Sequence, residues 1–331
     1  MTPLTKVAAL AASLIALVSV SACGSGSPGG SPSPGASDSA APSASTGPSA
    51  GATTPAAPAP PTAISGTLFF LGIGAGGGVY YLHSGTLTLA ISDASFGFYQ
   101  SAIMSPNGQR LAWIPNDSAG GTAQLRVQTY GGGIVNIGPS TINNVYTPQW
   151  KADSSAVVVS YGTGQFGQLN VTTGTLTPIP LPAGTGFGVW APDWNHAILG
   201  SGGTANVALP NGSSPVPVVA PAGQKLSRIQ SLSNDAHHVI ALVKPVGSPD
   251  GDAARTLAAN SIVDTTTGAI VPLSDGATIK SGFYRADGTA VLRVTAGGVD
   301  QVRIVSAAGV ILSTANVPAA AASLVLMGYA P

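Results

Sequence analysis

Glutamate is missing from this chain altogether. All twelve acidic residues among its 331 are Asp, set against twelve Lys and Arg, so the formal net charge is zero. Charged side chains make up 7% of the chain, where an average soluble protein carries roughly 25%. Charge this sparse and this balanced excludes a basic nucleic-acid footprint and a polybasic membrane patch. The lack of Glu and scarcity of Lys, beside 44 Gly and 27 Pro, argue against a helical protein. A single Cys, at position 23, excludes a disulfide framework within the chain.

What is present falls into three parts. Residues 1–22 carry one cation, Lys6, then an apolar run from Val7 to Ala22. The run is short for a spanning helix, which needs about 20 residues. A basic start, an apolar stretch and small residues at its end describe an export signal. It ends Val20-Ser21-Ala22-Cys23, which resembles the lipobox of bacterial lipoproteins. That resemblance implies cleavage before Cys23, a lipid on its sulfur and a place on the outer side of the cell membrane. From Gly24 to Thr62 every residue except Asp38 is Gly, Ser, Pro, Ala or Thr. Such a segment buries too little apolar area to offset its ordering entropy. Residues 23–62 therefore read as a lipidated Cys with a disordered tether, spanning roughly 35 Å as a flexible coil. Residues 63–331 read as one all-β domain.

That domain repeats. Ser105-Pro106-Asn107-Gly108, Lys151-Ala152-Asp153-Ser154, Ala191-Pro192-Asp193-Trp194, Ser233-Asn234-Asp235-Ala236 and Arg285-Ala286-Asp287-Gly288 each precede an apolar run. The third positions, Asn107, Asp153, Asp193, Asp235 and Asp287, are spaced 46, 40, 42 and 52 apart. These corners have a mechanism. Pro presets φ, the Asx side chain bonds its own backbone, and the next residue takes the left-handed position. Between the corners lie hairpins turning at Gly85, Gly132, Gly174, Gly212, Gly268 and Gly309, where Gly supplies a positive φ. Five corners and six hairpins imply that the C-terminal run 322–330 pairs with the N-terminal strands to complete a sixth unit. The expected architecture is a six-bladed β-propeller of four-stranded antiparallel blades, closed by that pairing. A seven-bladed ring or a pair of β-sandwiches fits the same strand pattern.

The corners resemble those of TolB-like, WD40-like six-bladed propellers, over most of residues 63–331. The Ala, Gly, Pro and Thr bias is similar to that of lipoproteins from high-GC actinobacteria. TolB-likeness implies work in the cell envelope, but no partner-contact motif of that family can be matched here.

Chemistry-bearing constellations are few. Gly72-Ile73-Gly74-Ala75-Gly76-Gly77 matches G-x-G-x-x-G, with Asp93 some 20 residues on. A dinucleotide site needs a helix after the glycines, whereas Val79-Tyr80-Tyr81-Leu82 reads as a strand. His196, His237 and His238 follow corners, and His83 stands apart. Adjacent His237 and His238 point to opposite faces of a strand, so no metal site is assigned. Asp250-Gly251-Asp252 is a fragment of a calcium loop. No catalytic residue, metal or cofactor is assigned, which points away from an enzyme. One insertion stands out, from Lys244 to Ala258. It concentrates Lys244, Asp250, Asp252 and Arg255, and the loop holding Asn116 and Asp117 is expected on the same face. Loops on a rigid scaffold carry function disproportionately. These six residues are the candidate binding residues. The expected function is a lipid-anchored, non-catalytic binding or scaffold module for an envelope protein, peptide or wall polymer. A glycan hydrolase or lyase, with Asp converging in the channel, is the rival. A structural subunit packing through an apolar patch is a third reading.

Overall fold

The structure is a computed structural model that describes residues 61–72, 77–92, 102–115, 121–143, 146–162, 164–201, 204–250 and 257–331. Cys23, the signal and all of the tether before residue 61 lie outside the described residues, as do Asn116, Asp117, Asp252 and Arg255. Residues 58–331 form one compact unit.

The strands run in chain order. β1 (Thr62–Ala63), β2 (Thr67–Gly72), β3 (Gly78–His83) and β4 (Thr86–Ser92) come first. β5 (Ile103–Met104), β6 (Arg110–Trp113), β7 (Thr122–Thr129) and β8 (Ile134–Asn143) follow. Next are β9 (Gln149–Trp150), β10 (Ala156–Tyr161), β11 (Gln165–Asn170) and β12 (Leu176–Ile179). Then come β13 (Phe187–Trp190), β14 (Ala197–Ser201), β15 (Thr204–Ala208) and β16 (Val216–Pro217). β17 (Gln224–Leu232), β18 (His238–Pro245), β19 (Ser261–Asp264) and β20 (Ile270–Val271) precede β21 (Thr278–Tyr284), β22 (Ala290–Ala296), β23 (Val299–Val305) and β24 (Ile311–Asn316). A 3₁₀ turn (Ala319–Ala321) leads into β25 (Val325–Ala330).

These strands build antiparallel meanders, but not six separate four-stranded blades. Among the described residues there are five hydrogen-bonded sheets. Four of them each contain a four-stranded antiparallel blade: β13 to β16, β17 to β20, β21 to β24, and β25-β2-β3-β4. The fifth is one eight-stranded sheet in which β5 to β8 and β9 to β12 are joined. The join is the pair Tyr161–Ile142 between β10 and β8. Its cause lies in β8, a ten-residue strand. Its register against β7 shifts between Ala123 and Leu125, and Gly138 takes φ +77°. A bulge of this kind bends the strand out of its own sheet, and the far end reaches β10. The six-bladed WD40-like ring is corrected accordingly.

The expected closure also takes a different form. β25 pairs antiparallel with β2, from Thr67 opposite Ala330 to Leu71 opposite Val325. That pairing completes one blade and is not a hydrogen-bonded seam between blades. Elsewhere blades meet through apolar side chains. Leu125 and Val127 pack with Val157 and Leu169, and Val189 and Ile198 pack with Ile229 and Val239. The inner strands lie side by side: β25 against β5 and β21, β5 against β9, and β17 against β13 and β21. Thr62, read from sequence as the end of the tether, is instead the first residue of β1, parallel to β24 with Thr62 opposite Ser313.

Turn chemistry decides where strands reverse. Gly85, Gly174, Gly212, Gly268 and Gly309 all take positive φ. At the β7–β8 hairpin the left-handed residue is Gly131, not Gly132. The link between β18 and β19 carries the insertion, and it leaves the sheet at the end opposite the corners.

Candidate functional site

The corners form one end of the molecule. In each of the five, the Asx Oδ1 accepts the backbone N–H two residues on: Gln109 to Asn107, Ser155 to Asp153, Asn195 to Asp193, His237 to Asp235 and Thr289 to Asp287, all at 3.0–3.1 Å. The residue after each Asx has positive φ, including the non-glycines Ser154, Trp194 and Ala236. A left-handed non-glycine costs about 1–2 kcal/mol, and all three have contacts beyond their own corner, Ala236 through its carbonyl, which accepts the Thr265 hydroxyl at 2.8 Å. Ser154 Oγ accepts Asn107 N–H at 3.3 Å, linking two corners. Trp194 stacks on Trp190 at 6.2 Å and carries Lys151 Nζ 5.3 Å above its ring. Asn234 ties three corners together: its Oδ1 accepts Asp193 N–H at 3.3 Å and its Nδ2 donates to Ala286 O at 2.9 Å. The Ser155 hydroxyl and backbone N–H hold Asp153 below the usual carboxylate range. At Asp235 and Asp287 burial pulls the other way. The hydroxyls of Ser233 and Thr289 and the turn N–H groups outweigh it and leave both lowered.

Between the inner strands lies a cavity of about 430 Å³. Its wall is largely apolar, with Trp150, Trp190, Phe283, Tyr284, Tyr329 and Met327 facing the space. The inner strands are held by side chains that bond their neighbours' backbones. Trp150 Nε1 donates to Ile103 O at 3.0 Å. Gln149 donates to Gly188 O and accepts Trp190 N–H, both at 2.9 Å. Ser231 Oγ accepts Tyr284 N–H at 3.0 Å. β5 and β9 are only two residues long, so these bonds stand in for strand length. Among the described lining residues the charged side chains are Arg285 and Asp287, paired at 2.8 Å, with Arg285 5.0 Å above the Tyr329 ring. Burial drives the Tyr284 hydroxyl well above its ordinary value, so it stays neutral.

The insertion lies toward the other end. Lys244 Nζ donates to Pro249 O at 3.0 Å and to Asp250 O at 3.2 Å. Asp250 ion-pairs with Lys225 at 2.8 Å and accepts the Ser227 hydroxyl at 2.7 Å. Lys225 and Ser227 together hold the Asp250 carboxyl below its usual range. The structure thus brings together Lys244 and Asp250 of the sequence-derived set and adds Lys225 and Ser227, which sequence reading missed. Leu257, just beyond the insertion's undescribed stretch, lines the cavity. The tie between insertion and cavity was not readable from spacing.

Two of the His side chains bond backbone carbonyls. His196 Nδ1 meets Asn234 O at 3.0 Å, and His83 Nδ1 meets Gly66 O at 3.2 Å. Among the described residues no three His, Cys, Asp or Glu converge as metal ligands. Sequence reading also missed a buried charge cluster in the β21–β24 sheet. There Arg293 grips Asp300 at 2.6 Å and donates to the carbonyls of Ala321, Ala322 and Leu324.

No family model matches the chain, and no curated protein matches it. Among solved structures it is similar to TolB from Acinetobacter baumannii, with a TM-score of 0.53 at 14% identity, over 80% of this chain and 67% of that one. This likeness shows a β-propeller fold of the TolB type and nothing about partners. A study of two prolyl endopeptidases supplies a match at TM-score 0.39 and 15% identity, over 78% of this chain and 42% of that one. Hydrazine synthase of Kuenenia stuttgartiensis gives 0.35 at 14% identity, over 67% and 66%. At scores below 0.5 neither bears on fold or activity. The chain is a β-propeller protein.

Proposed function

We propose that this protein is a non-catalytic binding module, carried outside the cell membrane by a lipid on Cys23. Its ligand is an apolar or aromatic segment of an envelope protein or peptide that enters the central cavity. The observation that carries this reading is the cavity wall. It offers five aromatic rings, and aromatic faces supply large contact area at low entropic cost. A cavity of a few hundred Å³ with an apolar wall and few polar groups is the ordinary form of a ligand site. The export signal and lipobox support the location.

The hydrolase reading asks for two carboxylates converging on a substrate. Among the described lining residues only Asp287 carries one. It is spent on Arg285, Thr289 N–H and the Thr289 hydroxyl. That arrangement favours binding over acid–base chemistry.

The test uses plugs. Ala152 and Ala286 line the cavity from exposed corner positions, so Ala152→Trp and Ala286→Trp narrow its mouth without disturbing the core. Full-length lipoprotein is crosslinked in native membranes and captured. A stoichiometric envelope partner that is lost in both plug variants supports the reading. A partner retained by both variants refutes cavity binding. Replacing Cys23 with Ala should release the protein from the membrane fraction, and retention would refute the anchor.

A further inference from the structure

The side chains that line the cavity leave an uneven set of hydrogen-bonding groups. The acceptors of Gln149, Asn107 and Asp287 are spent. Gln149 Oε1 accepts Trp190 N–H at 2.9 Å. Asn107 Oδ1 accepts the Ser105 hydroxyl at 2.7 Å and Gln109 N–H at 3.1 Å. Asp287 serves Arg285, Thr289 N–H and the Thr289 hydroxyl. Both indole N–H groups are spent as well, Trp150 on Ile103 O and Trp190 on Pro210 O.

Donors are left over. Tyr284 lines the cavity half-buried, and no described residue hydrogen-bonds its hydroxyl. Its place is fixed by the main chain, whose N–H donates to Ser231 Oγ at 3.0 Å. Burial keeps the hydroxyl neutral, with Asp235 adding to the effect, so it retains its hydrogen. Asn107 retains its amide N–H groups, because its Oδ1 makes the bonds of the corner.

These leftovers select a ligand by complementarity. It carries acceptors, brings few donors and no net charge, and covers aromatic faces. An ordinary peptide segment fails on donors, because each residue brings an N–H that must find a partner. Proline brings a carbonyl and no N–H. Aromatic-lined grooves take proline-rich chains in the extended polyproline form, which loses little freedom on binding because it is preformed.

We propose that the cavity takes a proline-rich segment of a partner polypeptide, with the Tyr284 hydroxyl donating a hydrogen bond to one of its carbonyls. The rings of Trp150, Trp190, Phe283 and Tyr329 form the wall against which the proline rings pack. This assignment rests on the cavity being the binding site.

The experiment uses the full chain in detergent and two short peptides blocked at both ends. One is polyproline, and the other has every Pro replaced by Ala. Binding is followed by tryptophan fluorescence and calorimetry. The proline peptide should bind at least about tenfold more tightly, with little dependence on salt, since no charge pairing is involved. Tyr284→Phe should weaken it about 2- to 10-fold, the loss of one hydrogen bond, and should melt with the parent. Ala152→Trp and Ala286→Trp should abolish binding. Equal binding of the two peptides overturns the proline assignment and leaves the cavity reading intact. Failure of both to bind also overturns it, and the cavity reading then stands or falls on the captured partner. Unchanged affinity in Tyr284→Phe, or a melting temperature lowered by several degrees, overturns the role of the hydroxyl. Binding retained in both plug variants places the peptide outside the cavity and overturns the proposal.

Discussion

At the scale of single residues, the corners show how four-residue chemistry is put to use across the molecule. Each Asx satisfies its own turn, and its neighbours then bond the next corner. Asn234 is the clearest case, since its amide bonds reach Asp193 N–H and Ala286 O on either side. Asn234→Ala leaves those groups without their partner at a half-buried site. The expected loss is about 1–3 kcal/mol of stability, seen as a lower urea midpoint with an unchanged slope. Asn195→Ala is the control: its side chain bonds only Asp193, within its own corner, at an exposed site. It should change stability by less than about 0.5 kcal/mol. Equal effects would mean that cross-corner bonds add nothing.

At the scale of elements, the β21–β24 sheet holds the charged residues that are buried among those described, Arg293 and Arg303. Arg293 is 3% exposed. It joins β22 to Asp300 on β23 and to the carbonyls that precede β25. It therefore couples this sheet to the strand that completes the first blade. Arg293→Ala strands Asp300, which retains Lys280 at 3.2 Å, and removes bonds from three carbonyls. Breaking a buried pair from one side costs about 3–5 kcal/mol, so the variant should melt well below the parent in a thermal scan. A change within a degree or two would show that the cluster is solvated in solution. The eight-stranded sheet belongs to this scale as well, because it exists only through the length and bend of β8.

At the scale of the whole molecule, the absence of Glu shapes the response to acid. Asp153, Asp235, Asp250, Asp264, Asp275, Asp287 and Asp300 are all held below their ordinary value in the folded state. A depressed carboxylate adds stability above its unfolded pKa, about 3.9. That stability is lost as the pH falls through the folded value. Urea midpoints should therefore vary little from pH 5 to 8 and drop steeply below about pH 4. A decline beginning near pH 6 would show that these carboxylates do not set the acid response.

Much of the architecture was legible because its causes are local. The Asx at each third corner position, the glycine hairpins and the apolar runs between them act within a few residues. Strands, turns and an all-β propeller class could therefore be read directly from the chain. The number and form of the sheets could not, because Tyr161 finds Ile142 only after β8 has bent, and bending depends on packing against β7. The candidate site divides in the same way. Lys244 and Asp250 stood out as rare charges in a loop, but their partners Lys225 and Ser227 come from a different strand. Sequence by itself determined where the chain turns and which side chains are apolar. Only the tertiary structure decided which distant strands share hydrogen bonds and which side chains line the cavity, because both depend on groups that meet only once the sheets have packed.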